Sequence, residues 1–344
     1  MRQIAECVPN FSEGRNPEII DAIASSIRAV AGVRLLSAEP DKDYNRSVVT
    51  FIGEPHAVVE AAYQATKVAS ERIDMQTHKG EHPRLGAVDV VPFVPISGLT
   101  MDDCVKLAHE YGKRVAEDFR IPIYLYEFAA TKPERRNLAT IRKGEYEGLS
   151  EKLKDPAWKP DYGAAEFNAK SGATVTGARK FLIAYNVNLK TSNSDLAQEI
   201  ALRIRESGRP MKNAVGEVVK NKKGETVKIP GTLTAVKAMG VFLERSNIAQ
   251  VSINLVDYER TPPHVAFEEV KRQALSLGVD ATGSEIVGLT PLAALLMAGR
   301  FYAEEERRSG TIPEEELLSL AIRRLGLSEL EPFEPSKKII EYML

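Results

Sequence analysis

The sequence has little cysteine, no long apolar run and almost no excess charge of one sign. Only Cys7 and Cys104 occur among 344 residues, which excludes a disulfide framework and is typical of a reducing, cytoplasmic compartment. No stretch approaches the roughly 20 apolar residues of a membrane span, and the first residues lack a signal-peptide core. A formal net charge of −2 argues against nucleic-acid or membrane-surface binding. We therefore expect a soluble, cytoplasmic protein.

Two similar halves are indicated by the pattern of apolar residues. Hydrophobic and charged residues make up 43% and 27% of the chain, as in globular proteins, and the length suggests two domains. The same strand–helix–strand order occurs at 47–52, 55–73 and 87–96, and again at 249–256, 263–277 and 285–289. We predict an α/β protein (an α+β sandwich) of two subdomains. Each would be a β-sheet with helices packed on one face, with the ligand in the cleft between them.

Two segments interrupt this alternation. Between residues 131 and 174 charges, glycine and proline break any periodicity, but aromatic residues, among them Trp158, favour an ordered, packed loop. Residues 212–230 are rich in lysine and indicate an exposed hairpin or a flexible insertion.

The string His78-Lys79-Gly80-Glu81-His82-Pro83-Arg84 holds two of the five histidines. It matches the zinc-binding pattern H-x-x-E-H, which requires a helix so that both imidazoles share one face. Gly80 and Pro83 oppose a helix, and no third ligand is apparent. A lone histidine is more often structural than catalytic, but this pair lies in a polar loop between a helix and a buried strand. The pattern favours an unmetallated base that titrates near neutrality.

Three other segments are candidates for binding. Asn10 and Ser12 lie between a strand and a helix, where backbone N–H groups can meet an anion, although they can equally make only the turn. Asn45 and Arg46 precede a strand and can be connecting residues alone. Residues 163–177 are small and polar with one aromatic residue, which suits close approach to a flat ligand. Within this segment, residues 172–177 lack the lysine and spacing of a phosphate-binding loop.

These strings resemble the formiminotransferase family, whose members move a formimino group from N-formimino-L-glutamate to tetrahydrofolate in histidine degradation and one-carbon metabolism. The matches recur in order over almost the whole chain: residues 6–14, Asn45-Arg46, 73–75 with 78–85, 124–126, 144–147, 172–188, 325–327 and 339–342.

The resemblance implies two ferredoxin-like α/β subdomains, at residues 1–179 and 180–325 with a tail at 326–344, meeting at a folate-binding cleft in a homodimer. It makes His82 the catalytic histidine. The family's folate-contacting segment matches residues 163–172, with Gly163, Phe167, Asn168 and Gly172. Tetrahydrofolate is the expected co-substrate, and no metal is expected. Animal members carry a following cyclodeaminase domain, and that second activity is expected to be absent here.

The family mechanism implies that His82 takes the proton of the attacking folate nitrogen and returns it to the departing glutamate. Basic residues would bind the carboxylates, and the candidates are Arg46, Lys79 and Arg84. Where animal members carry an active-site aspartate, this chain has Glu39. Either Asp41 or Asp43 takes that role, or the one-carbon donor differs. The alternatives are a 5-formyl-tetrahydrofolate cyclo-ligase-like enzyme and a non-catalytic folate-binding protein.

Overall fold

The computed structural model describes residues 3–213, 215–244, 246–308 and 310–343. It divides into two compact units, Met1–Lys180 and Phe181–Leu344, called subdomains 1 and 2 below. Residues 326–344, set apart as a tail in the sequence, belong to the second unit, where Ile339 and Ile340 are fully buried. Within the described ranges no helix combines the length and apolarity needed to cross a membrane.

Subdomain 1 contains a seven-stranded sheet. Its elements are β1 (Ile4–Cys7), β2 (Asn10–Phe11), α1 (Pro17–Arg28), β3 (Val33–Asp41), β4 (Arg46–Gly53), α2 (Pro55–Arg72), β5 (Val88–Ser97), α3 (Met101–Phe119), β6 (Ile123–Glu127), α4 (Leu138–Arg142), α5 (Leu149–Lys152) and β7 (Thr174–Ala178). The antiparallel order β3–β4–β1–β5 is that of a ferredoxin-like βαββαβ unit. Strands β7 and β6 extend the sheet in parallel beyond β5.

Helices α1, α2 and α3 cover one face of the sheet because apolar residues alternate along the strands. In β4, Val49 and Phe51 are buried in the core with residues of α1 and α2, so Arg46 begins the opposite face. The side chain of Asn16 caps α1, and Pro17 occupies its first turn, as the sequence predicts. Strand β3 extends beyond its apolar first residues to Asp41, which still pairs with Arg46.

The segment from 131 to 174 packs on the sheet face opposite the helices. Its Ile141, Leu149 and Leu153 form a second core with Tyr124 and Tyr126 of β6. Arg135 is buried there, and its guanidinium donates to Asp161 at 2.8 Å. The predicted ordered, packed loop is confirmed.

Subdomain 2 repeats the ferredoxin-like order on a four-stranded antiparallel sheet, β11–β12–β8–β13. Its elements are β8 (Ile183–Leu189), α6 (Ser194–Ile204), β9 (Arg209–Pro210), β10 (Lys228–Ile229), β11 (Val236–Leu243), β12 (Ile248–Leu255), α7 (Pro263–Ser276), β13 (Ala281–Val287), α8 (Leu292–Glu305), α9 (Glu314–Arg324) and α10 (Pro335–Lys338). The predicted repeat is confirmed: β4–α2–β5 corresponds to β12–α7–β13. The lysine-rich insertion forms an exposed ribbon on β9 and β10.

Candidate active site

The histidine loop, residues 78–84, is irregular backbone between α2 and β5, so it has no helix to support a zinc pair. Gly80 lets it lie against the turn at residues 41–46. A Cβ at this position would lie 2.3 Å from the Tyr44 carbonyl oxygen and 2.7 Å from the Asn45 Cβ. Only glycine allows this approach, and it places the loop against the start of β4.

His78 has a structural position in this loop. Its Nε2–H donates to the Asn45 carbonyl at 3.0 Å, and its Nδ1 accepts from the Arg84 Nε–H at 3.3 Å. Both ring nitrogens are therefore engaged, and burial lowers the pKa of the ring. A substrate contact by His78, as predicted from the sequence, would require one of these two hydrogen bonds to break.

Asn45 joins three segments of the site. It has a left-handed backbone conformation, with φ at 48°, which asparagine tolerates better than most residues. Its Oδ1 accepts the Gly14 N–H at 2.9 Å, and its Nδ2–H donates to the Lys79 carbonyl at 2.9 Å. Asn45 thus fixes the residue that follows it, Arg46, against the histidine loop.

His82 and Arg46 are in direct contact. The Arg46 Nη1–H donates to the His82 Nε2 at 3.1 Å and also reaches the Asn10 Oδ1 at 3.3 Å. Because a guanidinium only donates, Nε2 is the acceptor, and the neutral ring carries its proton on Nδ1. The ring edge packs against Tyr44, with centroids 6.2 Å apart.

Burial is the largest cause that lowers the pKa of His82, which falls to about 4. The positive charges of Arg46, Arg142 and Arg84 lower this pKa further, and Asp41 opposes them. The ring is therefore neutral near pH 7. Nε2 then carries a lone pair able to accept a proton once the Arg46 N–H is displaced.

Arg84 is committed to acidic partners within the protein. Its side chain is 7% exposed, and its guanidinium donates to Glu147 at 2.6 Å and to Glu145 at 3.0 Å. A guanidinium saturated in this way has no fork left for a substrate carboxylate. Lys79 is exposed, and no hydrogen bond of its ammonium is found within the described residues. Of the three proposed cations, Arg46 is the one in contact with His82.

The structure does not bring Glu39 to the histidine. Glu39 is exposed in the middle of β3, opposite Val48. Asp41, two residues further along the same face, is close enough for its charge to act on His82 and Arg46. One oxygen of Asp41 accepts the N–H groups of Asp43 and Tyr44, at 3.0 and 2.9 Å, and so shapes the turn. Of the acids weighed from the sequence, Asp41 has the better position.

The remaining predicted residues fall into two groups. Ser12 is buried, and its hydroxyl donates to the Gly86 carbonyl at 2.7 Å, so it closes the turn after β2. In the 163–172 segment, Gly163 and Gly172 have positive φ values, and the Asn168 side chain accepts the Ser171 N–H at 2.9 Å.

Phe167 is the exposed aromatic group of the 163–172 segment. It is 40% exposed and lies 5.5 Å from the Tyr146 ring. Tyr146 also lines a cavity of about 590 Å³ with residues of the histidine loop, among them His78 and Lys79. An open aromatic surface therefore borders a cavity that reaches the histidine loop.

Sequence reasoning missed the ion pair of Asp89 and Arg142. Asp89 is 1% exposed in the apolar strand β5, and its carboxylate accepts from the Arg142 guanidinium and from the Leu85 N–H. A lone acid within a strongly apolar strand is the sequence signal that could have revealed this pair, because a buried carboxylate requires a partner. The charge of Arg142 acts on both His82 and Arg46.

Fold and site together define an α/β protein of two ferredoxin-like subdomains, with a neutral histidine and a cluster of arginines in the first. A family model described as the formiminotransferase domain, N-terminal subdomain, matches residues 4–179. A second model, the formiminotransferase domain, matches residues 184–344. The chain belongs to the formiminotransferase family.

Curated relatives match over most of the chain. Formimidoyltransferase-cyclodeaminase of Rattus norvegicus is 48% identical over 100% of this chain and 60% of its own length. Glutamate formimidoyltransferase of Streptococcus pyogenes is 44% identical over 89% of this chain and 95% of its own length. Glutamate formimidoyltransferase of Thermoplasma acidophilum is 44% identical over 88% of this chain and 92% of its own length. The chain thus spans about three-fifths of the cyclodeaminase-bearing relatives and nearly all of the shorter ones.

Proposed function

We propose that the chain transfers the formimino group of N-formimino-L-glutamate to tetrahydrofolate, giving 5-formimino-tetrahydrofolate and glutamate. The observation that carries this proposal is His82, a neutral imidazole that accepts a hydrogen bond from Arg46. The chain is also 44% identical to two glutamate formimidoyltransferases. Tetrahydrofolate acts as co-substrate, and the residues in contact with His82 supply no metal ligand set.

His82 carries the proton through the reaction. The folate N5 attacks the formimino carbon, a C–N bond forms, and the N5 proton moves to His82 Nε2. The imidazolium then returns that proton to the glutamate nitrogen, the second C–N bond breaks, and glutamate leaves with its amine restored. General acid–base catalysis of this kind contributes about 100- to 10,000-fold. Asp41, one of the acids that the sequence left open beside Glu39 and Asp43, would stabilise the transient imidazolium through its charge.

The folate is proposed to lie along the 163–172 segment. Phe167 offers an exposed ring for stacking a flat heterocycle, and the positive φ values of Gly163 and Gly172 let backbone approach it closely. Arg46 is proposed to bind a carboxylate of the donor, with the Asn10 Oδ1 accepting from the same Nη1 that contacts His82. A homodimer and a cytoplasmic location complete the proposal.

A turnover assay with different donors tests the proposal. The protein is mixed with tetrahydrofolate and N-formimino-L-glutamate, and 5-formimino-tetrahydrofolate is followed by its absorbance. We expect turnover without added metal or nucleotide. Turnover of 5-formyl-tetrahydrofolate with nucleotide, or folate binding with no turnover of formimino-glutamate, would contradict the proposal. Light scattering of the purified protein tests the homodimer.

A further inference from the structure

Within the described residues, no carboxylate forms an ion pair with Arg46, although the charge of Asp41 acts on it. Three other arginines of subdomain 1, Arg84, Arg135 and Arg142, each donate to a carboxylate. Arg46 is half-buried and donates to two uncharged atoms, and its buried Nε–H has no partner among the described residues. Removing a guanidinium from water without a counter-ion is costly. The unpartnered Nε–H of Arg46 is therefore a donor that an anionic ligand could engage.

Arg142 is a second arginine whose charge acts on this site. Its charge lowers the pKa of both Arg46 and His82, and its own Nε–H is buried with no hydrogen-bond partner in the described part of the chain. Asp89 fixes Arg142 through one end of the guanidinium and is itself fixed by the Leu85 N–H at 2.9 Å. Asp89 pairs directly with Arg142, whereas the charge of Asp41 acts on Arg46 without a side-chain hydrogen bond between the two.

The contact with His82 decides which carboxylate fits this site. Arg46 Nη1 is 3.1 Å from His82 Nε2, the atom that must reach the departing nitrogen of the donor. The α-carboxylate is attached to the carbon that bears this nitrogen, whereas the side-chain carboxylate lies beyond two methylene groups. A carboxylate bound to Arg46 beside the reacting nitrogen is therefore the α-carboxylate.

Building on the proposed function, we propose that Arg46 and Arg142 bind the α-carboxylate of the formimino donor, and that this binding draws the Arg46 N–H away from His82. In the free protein that N–H occupies the lone pair the base needs. A carboxylate accepts two guanidinium N–H groups side by side and more strongly than a neutral imidazole does. Donor binding thus frees the base at the moment it is required.

Bound donor also changes the charge around the ring. The charged groups facing His82 are Arg46, Arg142 and Arg84, opposed by Asp41. A carboxylate between the first two adds a negative charge, which raises the pKa of His82 from about 4 toward its ordinary range. The imidazolium formed from the folate N5 proton then persists until it protonates the glutamate nitrogen.

Two truncated donors separate the roles of the carboxylates. N-formimino-γ-aminobutyrate lacks the α-carboxylate, and N-formimino-L-norvaline lacks the distal one. We expect the first to lower kcat by at least about 100-fold, the lower end of general-base catalysis, and the second mainly to raise KM. Equal kcat values for the two, or a larger kcat loss with the norvaline compound, would overturn the assignment.

Titration of the ring tests the inference apart from turnover. The His82 imidazole is followed by nitrogen-resolved NMR with L-glutamate, L-norvaline or γ-aminobutyrate. L-glutamate and L-norvaline are expected to raise the pKa of His82, whereas γ-aminobutyrate leaves it near 4. If none of the three moves it, the inference is wrong even when formimino-glutamate is turned over; if wild type fails to turn that donor over, the proposed function falls instead.

Arg142→Lys and Arg135→Lys form a matched pair of variants. The first retains a cation for Asp89 but loses the planar fork, and the second makes the same change at a buried arginine that pairs with Asp161. Arg142→Lys is expected to lose much of the kcat preference for donors with an α-carboxylate, and Arg135→Lys to keep it. Identical preferences in the two variants would contradict a role for Arg142.

Discussion

Gly80 makes the contact between the histidine loop and the 41–46 turn possible, so Gly80→Ala is the smallest change that should disturb the site. The added methyl group would lie 2.3 Å from the Tyr44 carbonyl oxygen, whereas ordinary contacts begin at 3.4 Å. The two segments must therefore separate by about 1 Å. This displacement stretches the hydrogen bonds from Asn45 to Lys79 and from Arg46 to His82, at 2.9 and 3.1 Å.

Two magnitudes follow from that separation. Forcing an extra methyl group into a packed position costs about 1–3 kcal/mol of the free energy of unfolding. Misplacing a catalytic group by about 1 Å costs roughly 100-fold in rate. We expect Gly80→Ala to lose activity out of proportion to its loss of stability, because the displaced residues flank the reacting atoms.

Urea denaturation and kcat with formimino-glutamate measure the two effects on the same preparation. Glu81→Ala is the control, since Glu81 is exposed in the same loop and its truncation should change stability by less than about 0.5 kcal/mol. Gly80→Ala with the stability and kcat of the control would refute the close contact.

Three further predictions concern Arg84, the cap of α3 and the pH dependence of His82. Arg84→Met leaves Glu145 and Glu147 without their cation and His78 without its donor, so we expect lower kcat and a thermal midpoint reduced by several degrees, measured by calorimetry; an unchanged midpoint would contradict this. Thr100→Ala removes the capping box of α3 and should cost about 1 kcal/mol in urea denaturation with kcat unchanged. Because burial and neighbouring arginines lower the pKa of His82 to about 4, kcat/KM should stay constant from pH 8 to about pH 5 and fall below that; a fall centred near pH 6.5 would contradict it.

Much of the fold was predictable because helix and strand periods differ. The helices predicted at 55–73 and 263–277 are observed at Pro55–Arg72 and Pro263–Ser276, and the repeated strand–helix–strand order holds in both subdomains. The end of β3 was harder to predict from the sequence. Several of its last residues are polar, and the pairing of Asp41 with Arg46 depends on the partner strand β4.

The site was predictable in part. The irregular course of residues 78–84 follows from Gly80 and Pro83, and the structure confirms it. The different roles of Arg46, Lys79 and Arg84 could not be predicted from the sequence. Arg84 is paired with glutamates that lie about 60 residues further along the chain. Counting residues along the sequence places Glu39 at the position of the family's active-site aspartate. In the structure it is the charge of Asp41 that acts on His82.

The most direct test of the account is turnover of N-formimino-L-glutamate with tetrahydrofolate by wild type, His82→Gln and His56→Gln. His56 is an exposed histidine of α2, with 83% of its side chain accessible, and serves as the matched control. We expect His56→Gln to keep the wild-type kcat and His82→Gln to lose at least about 100-fold. Equal rates in the two variants would contradict the central claim that His82 is the base.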